Sequence, residues 1–171
     1  MKKLFILFIA VAGFSVSSFA QVSATATSTA TIVTPIAITK TVNMNFGNVS
    51  VNGSLGTVIL TPAGTRSVTG GATTPVTAGT VTAASFDITG QANYTYSITL
   101  PVGLTPVTLT HTNTINTMTA GTFTSSPTPT GTLTAGGTET ITVGATLNVG
   151  ASQLAGVYTS GTPFTVTVNY N

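Results

Sequence analysis

Beyond residue 20, His111, Asp87 and Glu139 are the only imidazole and carboxylate side chains, the types that do most general acid and base work near neutral pH. His111 and Asp87 with one serine would make the formal minimum of a nucleophilic triad. No serine, however, lies in a Gly-x-Ser-x-Gly elbow, and His111 stands in "TLTHTNT", where it reads as one more strand or loop residue. Asp87, between Phe86 and Ile88, reads as the solvent-facing position of a strand. Zinc takes three or four ligands from Cys, His and carboxylates, and in a chain without cysteine the candidates are few and widely spaced. Calcium would need an Asp-rich loop, which is missing. We therefore expect no catalytic residue, no cofactor and no metal, and rank an enzyme last among the function classes.

The cations are equally sparse. Lys2 and Lys3 open the chain, and beyond them Lys40 and Arg66 balance Asp87 and Glu139 to a net charge of zero. Arg66, in "AGTRSVTGG", could hold an anion or a partner's carboxylate, but a lone Arg in a Gly-rich loop reads first as a solvated one. Neutralising several phosphates requires clustered Lys and Arg, so nucleic acid is not an expected partner. A freely dispersed domain usually draws about a quarter or more of its surface from charged residues. So uncharged a surface either packs closely against neighbours or is solvated by hydroxyls, and Thr alone supplies 40 of the 171 residues.

Something must carry such a chain to where it works. "MKKLFILFIAVAGFSVSSFA" sets Lys2 and Lys3 before an apolar run from Leu4 to Val16 and ends in Ser18, Phe19 and Ala20, the small-x-small pattern of a cleavage site. Residues 1–20 read as a secretory signal peptide, placing the protein in the periplasm, on the cell surface or outside the cell. The apolar run falls short of the roughly 20 residues a membrane helix needs, and no later segment is long and apolar enough to span a bilayer.

The rest reads as one all-β domain, 34–171, because Thr and Val dominate, Gly punctuates and no helical period is sustained. Alternation puts Tyr94, Tyr96, Ile98 and Leu100 on one face of "YTYSITLP", and Phe86 and Ile88 inward in "SFDITGQAN". A turn at Gly90 to Asn93 makes a hairpin of these two runs the economical reading. "ETITVGATLNVG" carries Ile141, Val143, Ala145, Leu147 and Val149 on one face and reads as a central strand, with Gly144 opposite permitting a bulge or a close backbone approach. "GTPFTVTVNYN" alternates Phe164, Val166, Val168 and Tyr170. Weaker strands are expected in "IVTPIAITKTVNMNFG", "GTVILTP" and "PVTLTHT"; "PAGTRSVTGGATTPVTAGT" and "TSSPTPTGTLTAGG" read as loops or short edge strands. The expected architecture is an immunoglobulin-like antiparallel β-sandwich, with a closed barrel as runner-up.

Before this domain, residues 21–33 alternate Val22, Ala24, Ala26, Ser28, Ala30 and Ile32 with Ser23, Thr25, Thr27, Thr29, Thr31 and Val33. The even positions are the candidate strand-pairing residues, a face small enough for a narrow groove or an open sheet edge. Pairing within the domain and a flexible Ser/Thr/Ala tail are the competing readings.

Taken together, "TPIAITKTVNMNFGNVSV", "GTVILTPAGTRSVTGG", "VTAASFDITGQANYTYSITLP" and "TITVGATLNVGASQLAGVYTSGTPFTVTVNYN" resemble a bacterial secreted family, domain of unknown function 4402, over essentially the whole chain after residue 31. In its leader, length and Tyr-ended last strand the chain is also similar to spore-coat-U-like and fimbrial subunits, although it lacks their disulfide pair. The resemblance implies an exported structural subunit of a surface appendage or coat that assembles by β-strand addition to identical subunits, with a periplasmic chaperone as a further partner. The alternative is a monomeric secreted binding module for a glycan or surface partner.

Overall fold

The computed structural model describes residues 21–102 and 106–171. The signal-peptide expectation concerns residues 1–20 and lies outside them. The chain divides into two units between Ile32 and Val33. In the described part of the first, residues 21–32 form no strand and every residue is exposed. Small, hydroxylated side chains bury too little apolar surface to order themselves into structure of their own.

The second unit is all β. Its strands are β1 (Ala37–Val42), β2 (Asn45–Phe46), β3 (Ser50–Leu60), β4 (Arg66–Thr73), β5 (Val81–Thr82), β6 (Ala84–Thr89) and β7 (Thr95–Thr99). They continue with β8 (Val107–His111), β9 (Thr117–Ser126), β10 (Thr130–Thr132), β11 (Thr138–Val149), β12 (Tyr158–Ser160) and β13 (Thr167–Tyr170). An eight-stranded sheet runs β1-β6-β11-β9-β8-β12, with β3 also on β11 and β4 on β3. A second sheet runs β10-β7-β13, and β2 and β5 pair by themselves. Every ladder is antiparallel.

β11 organises the large sheet. Along one edge it pairs with β6 through Thr138–Val143 and then with β3 through Ala145–Val149, while its other edge carries β9. Gly144 sits at the hand-over, where a Cβ would collide with the carbonyl oxygen of Leu60 and the backbone of Thr61 and Pro62. The close approach expected of this glycine is thus real. The sheet curls but stays open: β1, β4 and β12 each have one neighbour, and no ladder among the described residues joins them. The architecture is a β-sandwich and not the closed barrel.

One core lies between the sheets, with Phe86, Ile88, Ile141 and Val143 facing Tyr96 and Val168. A second, built on Val58, Leu60, Ala145, Leu147 and Val149, lines the concave side of the large sheet and is capped by Phe46 of β2. Each fully buried Val, Leu or Ile contributes roughly 1.5–3 kcal/mol, so these two clusters dominate the stability.

Two expectations need correction. β6 and β7 are not a hairpin: β6 pairs with β1 and β11, and β7 with β10 and β13 in the other sheet. The turn from Gly90 to Asn93 carries the chain across the sandwich, since Gly90 N–H donates to the Gly137 carbonyl and Asn93 N–H to that of Leu133. The stretch read as loop or short edge strand from Thr124 onward contains the end of β9, a ten-residue strand inside the sheet.

Candidate functional site

The residues with chemical potential are held apart, each by partners of its own. His111 ends β8 and is buried. Its Nδ1 accepts the Asn113 N–H at 3.0 Å, which leaves Nε2 to donate to the Ala155 carbonyl at 3.2 Å. The ring stands edge-on to Tyr158 of β12 at 5.0 Å. Gly156 passes so close that a Cβ there would strike the imidazole. The histidine therefore ties the segment before β12 to β8, and both ring nitrogens are occupied by backbone.

Asp87 is exposed on β6, as expected, and accepts a hydrogen bond from Thr140 Oγ1 at 2.9 Å. Glu139, one residue before Thr140 on β11, lies on the opposite face of the same sheet, where Oε2 accepts from Tyr96 Oη at 2.7 Å and from the Thr132 N–H at 2.9 Å. It thus joins β11 to both β7 and β10. Burial first, and Glu139 second, push the Tyr96 phenol well above the usual tyrosine value. Among the described residues no serine, base and acid converge, and no three His, Asp or Glu gather as metal ligands.

Arg66 departs from its reading as a solvated loop residue. It begins β4, and Nη1 donates to the carbonyls of Phe46, at 2.5 Å, and Asn48, at 2.7 Å. A Cβ on Gly47, at φ +70°, would press on that guanidinium, so the glycine lets the arginine clamp the end of β2. The last strand is anchored similarly. Tyr170 Oη donates to the Thr34 carbonyl at 2.8 Å and accepts the Gln91 N–H at 2.6 Å, tying both chain ends of this unit to the 90–93 turn.

Two features remain that side-chain chemistry does not account for. The first is the segment holding Val22, Ala24, Ala26, Ser28, Ala30 and Ile32, which the structure leaves exposed and without a strand partner among the described residues.

The second is a groove of about 1020 Å³ on the concave side of the large sheet. Leu109, Met118, Phe123, Leu147 and Val149 form its apolar floor, and the stretches Val42–Val51 and Gln153–Ser160 form its walls. Sequence reasoning missed it. The β10-β7-β13 sheet is too narrow to cover the whole large sheet, and which strands go uncovered depends on topology. Weak signals existed in Met44 and Met118, adaptable side chains suited to irregular surfaces.

The family model described as domain of unknown function (DUF4402) matches residues 36–170. No curated protein and no solved structure matches the chain. Among the described residues, no helix is long and apolar enough to cross a membrane.

Proposed function

The chain belongs to the domain of unknown function (DUF4402) family, and we propose that it is an exported structural subunit of a bacterial surface appendage or coat, not an enzyme, that assembles by β-strand addition. The observation that carries this reading is the arm at residues 21–32, uncharged, alternating, exposed and without a strand of its own. Its open backbone N–H and C=O groups gain partners when it joins a sheet edge, which is how an extended segment binds another subunit.

The domain offers such an edge. Among the described residues β4 pairs only with β3 and, at eight residues, is the longest strand with one side open. After Arg66 it carries no charge to discourage pairing. The arm suits an edge better than the groove, because Ala24, Ala26, Ser28 and Ala30 are too short to fill a cleft floored by Leu, Met and Phe. Main-chain hydrogen bonds, at about 0.5–1.5 kcal/mol each, then supply much of the hold. The similarity to fimbrial and spore-coat-U-like subunits and the sparse charge of the surface support the same role. A periplasmic chaperone would shield the arm or the edge before assembly.

Size-exclusion chromatography and electron microscopy of the exported protein test this. Full-length protein is expected to form polymers, and deletion of Gln21–Val33 to abolish them, with a synthetic peptide of that stretch capping the truncated domain one to one. Polymers from the truncated protein, or a folded full-length monomer at high concentration, would overturn it.

A further inference from the structure

Lys40 is an exposed residue of the edge strand β1, on the side of the sheet that carries the core. In the β1–β6 ladder it lies opposite Phe86, which lies opposite Ile141 of β11, so the three share the core-facing side of the sheet. Thr39, Asp87 and Thr140 make up the neighbouring, outward row. The ammonium thus stands at the rim of the apolar groove and is its only charged lining residue among those described. Nζ donates to Asn43 Oδ1 at 2.7 Å, which orients the head of the side chain without neutralising it.

The rest of the charge distribution sharpens this placement. Arg66, the other described cation, sits behind the same wall on the Phe46 and Asn48 carbonyls. Asp87 and Glu139 are engaged elsewhere, by Thr140 and by Tyr96 with Thr132. The polar groups of the opposite wall are satisfied among themselves, since Gln153 Nε2 donates to Tyr158 Oη at 2.8 Å and Tyr158 Oη to the Leu154 carbonyl at 2.7 Å. A cleft with an apolar floor, a volume in the range of small-molecule sites and one positive rim is complementary to a molecule with a long apolar body and a single anionic end.

We propose that this groove binds one long-chain fatty carboxylate, its alkyl chain on Leu109, Met118, Phe123 and Leu147 and its carboxylate on Lys40 Nζ. The site is made of domain residues alone and stands or falls independently of pairing by the arm.

The test is titration of the full exported protein with a fluorescent polyene fatty carboxylate and, in parallel, with the alcohol of the same chain. Saturable one-to-one binding of the carboxylate is expected, tighter than that of the alcohol. Lys40→Gln should weaken the carboxylate by about tenfold, the order expected for loss of a charge-assisted hydrogen bond, and leave the alcohol unchanged. Met118→Trp, which fills the floor, should abolish both; its circular dichroism and thermal midpoint report whether it folds, and if it does not, the acid-to-alcohol ratio in Lys40→Gln decides. Absence of saturable carboxylate binding overturns the proposal. So does an unchanged acid-to-alcohol ratio in Lys40→Gln, which would leave Lys40 as a guard against edge-to-edge pairing, and so does full binding by folded Met118→Trp, which would place the ligand elsewhere.

Discussion

Tyr96 shows how much one polar atom can do inside a sandwich with few charges. Its side chain is fully buried, and its hydroxyl reaches Glu139, whose carboxylate also accepts the Thr132 N–H. Gly131 makes room for the pair, because a Cβ there would meet both the phenol and the carboxylate. Burial, reinforced by the hydrogen bond and charge of Glu139, raises the phenol pKa in the folded state above its ordinary value near 10. Folding therefore favours the protonated phenol. Its contribution is complete below about pH 10 and is lost as pH rises through the folded value. The thermal midpoint of the native protein should accordingly fall more steeply above about pH 10 than that of Tyr96→Phe. At pH 7 the same variant should lose about 1–2 kcal/mol, since Glu139 keeps only its backbone donor. Parallel pH profiles for the two proteins would refute the coupling.

At the scale of the element, β9 is the instructive case. Met118 and Ala120 face inward on even positions, whereas Phe123 and Ser125 do so on odd ones. The switch comes at Thr122, where Ala145 of β11 faces two residues because the register jumps between Gly144↔Thr124 and Thr146↔Gly121. Thr122 takes φ 48°, a left-handed conformation that a β-branched residue rarely adopts. A period-two template breaks at this point, which is why the strand was not legible. Strain in such a residue costs about 1–3 kcal/mol, against roughly 0.5–1 kcal/mol for the extra freedom of glycine in the unfolded chain. Thr122→Gly should therefore stabilise the domain by about 0.5–1 kcal/mol in denaturant titration, while Gly144→Ala, which drives a methyl into the Leu60 carbonyl, should destabilise it. Loss of stability in Thr122→Gly would contradict this account of the bulge.

For the molecule as a whole, the sandwich leaves two needs open: an arm without a sheet and an apolar groove without a cover. The proposed strand addition would answer the first and the proposed fatty carboxylate the second. The proposed assembly presupposes export, which rests on the sequence reading of residues 1–20 as a leader. Intact-mass measurement of the protein recovered outside the inner membrane should show cleavage after Ala20 and Gln21 as the first residue; retention of residues 1–20 would remove that premise.

Composition and period-two alternation were sufficient for the fold class and for the inward faces of β6, β7, β11 and β13, because a strand buried on one side must repeat its apolar residues every second position. Tertiary structure alone decided which strands became neighbours: a turn such as Gly90–Asn93 can close a hairpin or cross a sandwich, and only the carbonyls of Leu133 and Gly137, far along the chain, select the crossing. It likewise decided that Arg66 clamps the end of β2 and that Lys40 faces the core side. The partners in each case are backbone atoms or strands distant in sequence, and no local pattern encodes their approach.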